Sequence, residues 1–324
     1  MKRYPYTATR VKVMTSDLLS REDYEKLAGM GYSEIARNLE EGSYQEDILA
    51  AAGKAAGVEL IERALSTSLA RTVEKLQTIA NKKEVRSLIE TYALKWVLTS
   101  LKLVLKVKMG FVTKDEADQL AIPVAPLTAG RREELLRDDL AAVVREVCSL
   151  VPADAKRLTG LIEKKDVIAL EDAIDAAYYR KLRETALALG AKDPLRRFLL
   201  DIIALVDLRA IMRMKAAGKP APAVASDGLA AVAAARTVDE AFAALGETPY
   251  HGLAGVRSLT DLETAADVSL FQHAPRLLHR QPLSASTVFG YLLRKEIEIR
   301  NLRLLVHAKA AGLDKAFMDA HLVV

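Results

Sequence analysis

Apolar side chains recur three and four residues apart along most of this chain, in segments of roughly 10 to 25 residues. Strict alternation of apolar and polar residues, which would indicate strands, does not continue beyond a few residues. An α-helix turns once every 3.6 residues, so this spacing gives each segment one apolar face. The pattern predicts an all-α fold.

Helix starts are marked by a Ser or Thr with an acidic residue three positions later. In this arrangement the hydroxyl and the carboxylate satisfy backbone amides of the first turn. The pairs are Ser20 and Asp23, Thr113 and Glu116, Thr237 and Glu240, and Thr260 and Glu263. Asp193 followed by Pro194 predicts a further start, because proline in the first turn loses no helical hydrogen bond.

Three stretches rich in turn-forming residues interrupt the helical pattern. They are residues 110–130, which enclose a short helical piece, the connector 218–228, and the loop 246–256. The first two breaks divide the chain into parts of similar size. We therefore predict three helical units, at residues 1–110, 111–218 and 219–324.

Three ungapped segments of similar sequence lie about a hundred residues apart, which is a repeat of fixed period. In each segment a leucine, a cation, an apolar pair and a second cation or histidine are followed by a closing lysine. The segments are 101–108, 208–215 and 302–309, with closing lysines Lys108, Lys215 and Lys309 and the nearby glycines Gly110, Gly218 and Gly312. The leucine and the apolar pair share one helix face, and glycine supplies a left-handed stop.

A second element precedes the basic helix in the first and third units. It has an acidic helix start, then a leucine, then a tyrosine five residues later: Leu39 and Tyr44 in one copy, Leu245 and Tyr250 in the other. The middle unit has no clear copy. The order of the two elements is preserved, which indicates three related units with the middle one most diverged.

Three stretches carry a resemblance to a known family. They are residues 4–48, with Tyr6, Thr9, Arg10, Val11, Leu18, Leu19 and Tyr44; the loop and helix at residues 245–263; and the helix at residues 296–313 with Asn301. They resemble the C subunits of archaeal and bacterial V/A-type rotary ATPases, which are related to the d subunits of eukaryotic V-ATPases. The match covers both ends of the chain, whereas residues 115–190 match only as generic helix.

The resemblance implies three similar helical units arranged as a funnel with pseudo-threefold symmetry. It also implies a non-catalytic central-stalk subunit that couples the central shaft to the proteolipid ring in proton or sodium transport. The partners would be those shaft and ring subunits, on the cytoplasmic face of the membrane, without nucleic acid or a small-molecule substrate. The family's asparagine is Asn301 here, and Ser100 and Asp207 occupy the equivalent positions.

Composition agrees with a helical, soluble protein. Hydrophobic residues make up 51% of the 324 residues and aromatic residues only 5%, a balance that favours helices over sheets. A net charge of +4 is too small to indicate nucleic-acid binding. Neither a signal-peptide core nor a run of about 20 apolar residues occurs. The most apolar stretches, 96–112 and 198–208, predict short buried helices, and we expect an intracellular chain.

Sequence motifs for catalysis are absent. The chain has no phosphate-binding loop, dinucleotide fingerprint, zinc-protease motif or nucleophile elbow. Cys148 lies in an apolar-periodic helix, and a single cysteine excludes a disulfide framework. His273 and His279 lack ligand spacing, and His251 is typical of a turn residue. We expect no metal, no cofactor and no enzymatic activity.

The cations of the repeat are the candidate partner-binding residues. They are Lys102 and Lys106, Arg209 and Arg213, and Arg303 and His307, each pair one helical turn apart. One interpretation is a solvated helix face, with long side chains covering apolar neighbours. The other is that pseudo-symmetry brings three basic stripes around one axis, where they would orient carboxylate-bearing partners.

Two other functions are possible from the residues alone. A helical binding scaffold unrelated to ATPases is the first, although such scaffolds repeat every 34–47 residues and this chain does not. An all-α enzyme with dispersed active residues is the second. It would require an enclosed pocket with perturbed titrating groups.

Overall fold

The computed structural model describes residues 3–53, 55–220, 226, 228–253, 255–256, 258–272, 276–278 and 281–323. The predicted connector at 218–228 lies partly outside these residues. Within the described ranges every regular element is a helix and no strand occurs, which confirms the all-α prediction. No helix in this part of the chain is both long and apolar enough to cross a membrane.

The helices are numbered here in chain order. They are α1 (Pro5–Thr15), α2 (Arg21–Gly29), α3 (Tyr32–Glu41), α4 (Gln45–Ala52), α5 (Gly57–Ile79), α6 (Lys83–Lys108), α7 (Lys114–Leu120), α8 (Ala129–Arg137), α9 (Leu140–Leu150), α10 (Ala155–Glu163), α11 (Val167–Leu187), α12 (Pro194–Ala216), α13 (Ala230–Ala234), α14 (Val238–Leu245), α15 (Leu259–Phe271), α16 (Ala285–Ala310) and α17 (Lys315–His321). A 3₁₀ turn, His251–Leu253, lies between α14 and α15.

Most of the predicted helix starts are confirmed. Ser20 and Thr113 form capping boxes, and Thr237 and Asp193 cap α14 and α12 with their side chains. The start predicted at Thr260 is wrong. The cap of α15 is Ser258, whose hydroxyl accepts a hydrogen bond from the Asp261 amide at 3.0 Å. Ser258 and Asp261 have the same three-residue spacing as Thr260 and Glu263. The helix begins two residues earlier than predicted and includes Thr260 in its first turn.

Each repeat segment ends its helix as predicted. Gly110, Gly218 and Gly312 adopt left-handed backbone conformations, with φ of 79°, 66° and 70°, just after the ends of α6, α12 and α16. The leucine and the apolar pair of each segment are buried: Leu101, Val104, Leu105, Leu208, Ile211, Met212, Leu302, Leu305 and Val306. The predicted common apolar face of these three helices is confirmed.

Six helices form a closed series of contacts, called here the helix ring. Along the ring, α5 contacts α6, α6 contacts α11, α11 contacts α12, α12 contacts α15, α15 contacts α16, and α16 returns to α5. Five of these helices have 21 to 26 residues and α15 has 13. The last ring helix of one predicted unit therefore packs on the first ring helix of the next predicted unit.

The apolar interior is divided into two main cores. The larger core joins α1 to α6, α8 to α11, the first half of α12, α16 and α17. The smaller core joins the second half of α12, from Ala204 to Met212, with α13, α14 and α15. The two cores thus meet within a single continuous helix.

Candidate interaction surface

The first cation pair of the repeat joins α6 to α11. The Lys102 ammonium lies 2.8 Å from an oxygen of Asp175, and the Lys106 ammonium lies 2.7 Å from an oxygen of Glu171. The four side chains are partly exposed, between 15% and 43% of their surface. Both cations on α6 are therefore neutralised by carboxylates on the neighbouring helix.

The second pair lies where α12 meets α15. Arg209 forms an ion pair with Asp267 and donates to the Glu263 carbonyl at 3.1 Å. Arg213 is exposed, and its guanidinium donates to the backbone carbonyl of Arg209 at 3.4 Å. Partial burial raises the pKa of Asp172 on α11, and the nearby Arg213 charge opposes that rise.

The third pair closes the helix ring between α16 and α5. The Arg303 guanidinium lies 2.8 Å from one oxygen of Glu62 and also donates to the Ser66 hydroxyl at 2.9 Å. The His307 imidazole Nε2 lies 2.9 Å from the other Glu62 oxygen. The residues joined here are more than 230 positions apart in the sequence.

A similar polar arrangement therefore occurs at three joints of the ring. In each, at least one cation of a repeat helix forms an ion pair with a carboxylate on the first ring helix of the next predicted unit; where α12 meets α15, this cation is Arg209. These carboxylates were not predicted from the sequence, although Glu171 and Asp175 have the same i,i+4 spacing as the two cations that they pair with. A role of the six cations towards another protein stays a prediction.

A further position of the repeat has one role in all three copies. The Ser100 hydroxyl donates to the Ile122 carbonyl at 3.1 Å and accepts from the Ile122 amide at 3.2 Å. Asp207 accepts hydrogen bonds from the amide, at 3.0 Å, and the hydroxyl of Ser226. Asn301 donates to the Val323 carbonyl at 2.7 Å and accepts from its amide at 3.1 Å. The residue that each side chain binds lies 22, 19 and 22 positions later in the sequence, respectively.

Two of the closing lysines also act alike. Lys108 donates to the Leu136 carbonyl at 3.0 Å and to the Asp138 carbonyl, at the C-terminal end of α8. Lys215 donates to the Ala233 carbonyl at 2.9 Å and to the Ala235 carbonyl, at the end of α13. A cation at a helix C-terminus satisfies carbonyls that lack a helical partner.

The two tyrosines of the second repeated element each reach a carboxylate on a repeat helix. The Tyr44 hydroxyl donates to Glu298 at 2.6 Å, and Lys295 donates to both of them. Burial, then the Glu298 charge, raises the pKa of Tyr44 well above its usual value. The Tyr250 hydroxyl donates to Asp201 at 3.2 Å, and burial likewise raises the pKa of Tyr250.

The first halves of α6 and α16 also touch each other, although they are not neighbours along the ring. The Lys95 ammonium lies 2.6 Å from Glu296 and 4.0 Å from the centre of the Tyr92 ring. The Tyr92 and Phe289 rings meet edge to face, with centres 5.4 Å apart. Burial lowers the pKa of Lys95, against the opposing effect of Glu296. These two repeat helices, α6 and α16, therefore approach each other at their N-terminal halves.

The candidate reactive residues have ordinary surroundings. Cys148 is half-buried, its thiol lies 3.5 Å from the Ala153 carbonyl, and burial raises the pKa of the thiol. His251 begins the 3₁₀ turn, with Nδ1 3.3 Å from the Thr248 carbonyl. Among the described residues no group of three or more His, Cys, Asp or Glu could hold a metal ion. His273 and His279 lie outside the described residues.

Two cavities of the described structure bear on the enzyme alternative. One of 1140 Å³ lies where the starts of α6 and α16 meet the end of α11, with Lys83, Glu84, Lys192 and Asp193 among its lining residues. The other, of 590 Å³, lies beside α2 and α16 and is lined by Arg21, Arg276 and Arg294. Neither is lined by histidine, so neither combines the carboxylates and histidine that would favour an all-α enzyme.

Comparison with known proteins identifies the family of this all-helical chain. The sequence pattern of the ATP synthase (C/AC39) subunit family matches residues 7–321, which is nearly the whole chain. The chain belongs to this family. The resemblance stated from the sequence is thereby confirmed.

Similar proteins include several archaeal A-type ATP synthase C subunits. The protein of that name from Halorubrum lacusprofundi is 30% identical, over 98% of this chain and 97% of its own length. That from Methanococcoides burtonii is 29% identical, over 99% of this chain and 94% of its own. The subunit from Archaeoglobus fulgidus is 26% identical, over 99% of this chain and 96% of its own length.

Proposed function

We propose that this chain is a non-catalytic central-stalk subunit of a V/A-type rotary ATPase. It would couple the central shaft to the proteolipid ring of the membrane sector, in ATP-linked transport of protons or sodium. Membership of the ATP synthase (C/AC39) subunit family over residues 7–321 is the observation that carries this proposal. It implies a peripheral position on the cytoplasmic face of the membrane.

The proposed architecture is a funnel of three units, 1–110, 111–218 and 219–324, around a pseudo-threefold axis. Support comes from the three joints at which α6, α12 and α16 place cations against the next unit. The contacts between the first halves of α6 and α16 support a narrow end at the starts of the repeat helices. Their C-terminal halves instead reach the neighbouring ring helices, which supports a wider opposite end.

A torque coupler must resist deformation, and the helix ring has features that provide stiffness. Each unit places its last long helix against the next unit, so the units interlock. The larger core runs through helices of all three predicted units, and packed interiors have low compressibility. Torque applied to one unit would therefore pass to the other two.

The six cations would take part in binding the shaft or the ring subunits. Lys102, Lys106 and Arg209 are partly buried in ion pairs, as is Arg303, so partner carboxylates would add to existing networks. Arg213 and His307 are exposed, and we propose them as the first contacts. Such contacts act mainly on association rate and orientation. The proposal needs no cofactor, nucleotide, nucleic acid or small-molecule substrate.

The experiment compares membrane vesicles that carry the ATPase assembled with and without this chain. Without it, we expect ATP hydrolysis by the catalytic sector to continue and ATP-driven ion uptake to fall to background. Adding the purified chain should restore uptake. Loss of hydrolysis with no rescue, or normal uptake without the chain, would contradict a coupling role.

A matched pair of arginine variants tests the proposed first contact. Arg213→Gln should slow the rescue of ion uptake at limiting chain concentration. Arg145→Gln is the control, because Arg145 is also exposed but lies on α9, outside the repeat helices. Equal effects of the two substitutions would contradict a specific role of Arg213.

A further inference from the structure

The smaller core is a distinct packing unit. Leu245 of α14 and Leu262 of α15 are buried there against Leu208 of α12, and α13 contributes Val232. The residues that α12 contributes to this core lie in its second half. Regions with their own small core open with a lower free energy than the rest of a protein.

The link between α15 and the larger core is confined to the end of α15. Of the described residues of this helix, Leu270 and Phe271 are those that pack against the larger core. The Phe271 ring lies under the Arg300 guanidinium, 5.4 Å from ring centre to Cζ, while one buried nitrogen of Arg300, Nη1, has no hydrogen-bond partner. Among the described residues, the apolar contact between α15 and the larger core therefore lies at the last turn of α15.

A side-chain hydrogen bond connects the smaller core to the first half of α12, which belongs to the larger core. The Tyr250 hydroxyl donates to Asp201, whose carboxylate also accepts from Arg197 at 2.9 Å. Asp201 lies in the first half of α12, beside Leu199 and Ile203 of the larger core. Loss of the Tyr250 hydroxyl would release the loop before α15 from that half of the helix.

The equivalent tyrosine in the first unit has a different environment. Tyr44, Lys295 and Glu298 are each at least 94% buried, and Glu298 also accepts from the Leu19 amide at 2.6 Å. Tyr44 belongs to the larger core, in contact with α16. The two tyrosines therefore form a matched pair, one at the edge of the smaller core and one inside the larger.

We propose that α13, α14 and α15 open together as one cooperative unit while the rest of the described chain keeps its structure, which separates the helix ring at α15. Opening would separate α15 from α12 and α16 and break the ion pair between Arg209 and Asp267.

Hydrogen exchange of the full chain, read by mass spectrometry, tests the opening. We expect amides of α14 and α15 to exchange together, at least tenfold faster than amides of α5, α6 and α16. Tyr250→Phe should raise exchange in α14 and α15 by about five- to tenfold, because one hydrogen bond is lost. Exchange in α5 and α6 should stay unchanged.

Tyr44→Phe is the matched control. It removes a hydroxyl from the larger core and should leave the exchange of α14 and α15 at the wild-type rate. The opening is disproved if α15 is as protected as α6, or if Tyr250→Phe raises exchange equally in all helices.

Discussion

At one position of the repeat, a serine, an aspartate and an asparagine each hold the backbone of a segment that follows their helix. Ser100 and Asn301 contact both the amide and the carbonyl of their target, whereas Asp207, which only accepts, contacts the amide and the hydroxyl of Ser226. Their different identities hide this shared role in the sequence. The role follows from geometry, since all three side chains are short and carry an acceptor.

Asn301→Ala tests the importance of this contact. Asn301 is fully buried, and its loss would leave the Val323 amide and carbonyl without their partner. We expect the free energy of unfolding to fall by about 2 kcal/mol. Urea denaturation measures it. Asn38→Ala is the control, because Asn38 is exposed, and should change stability by less than about 0.5 kcal/mol. Equal losses would contradict the role.

At the scale of elements, local signals in the sequence were reliable and long-range pairings were not. Ser20, Thr113 and Asp193 were predicted as caps because capping depends on neighbours within one turn. The pairing of Glu62 with Arg303 could not be predicted, because it depends on how α16 returns to α5 across 241 residues. The repeat indicated three basic stripes, but periodicity does not tell whether a cation faces solvent or a neighbouring helix.

A charge exchange tests the joint between α6 and α11. Lys106→Glu should destabilise the protein by about 1 kcal/mol, because like charges would face each other across partly exposed positions. The double variant Lys106→Glu with Glu171→Lys should recover about half or more of that loss. Thermal or urea unfolding of both variants gives the coupling energy.

The control exchange uses Lys315 and Asp319, an exposed i,i+4 pair within α17. Its coupling energy should be no more than about 0.5 kcal/mol. A coupling between positions 106 and 171 that is smaller than this control would mean that the ion pair does not hold the two helices together.

For the whole molecule, buried tyrosines link folding to alkaline pH. Burial is the main cause that raises the pKa of Tyr24, Tyr92 and Tyr178 above the usual value, as it does for Tyr44 and Tyr250. A raised pKa in the folded state means that the unfolded chain releases these protons first. The neutral tyrosines therefore make their full contribution to the free energy of unfolding at pH values below the tyrosine pKa of the unfolded chain. That contribution is lost as the pH rises above this pKa.

We expect the free energy of unfolding to be nearly constant from pH 8 to 9 and to fall steeply above about pH 10. Each tyrosine that ionises only on unfolding should contribute about 1.4 kcal/mol per pH unit. Burial lowers the pKa of Lys95, so this residue makes the free energy of unfolding rise with pH. Its effect is that of one residue, whereas several tyrosines act in the other direction. Urea denaturation from pH 8 to 11 measures the slope.

Tyr92→Phe provides the control for the alkaline transition. Tyr92 is only 3% exposed, and removing its hydroxyl should make the slope above pH 10 shallower by the contribution of one tyrosine. A slope equal to that of the unaltered chain would show that ionisation of this buried phenol does not accompany unfolding.

The proposed coupling requires this chain to connect a rotating shaft to a membrane ring. Native purification through an affinity tag on this chain, followed by mass spectrometry of the intact complex, tests that connection directly. We expect recovery of shaft subunits and proteolipid ring together, with one copy of this chain per complex. Recovery of the chain alone, or with neither of those partners, would contradict it.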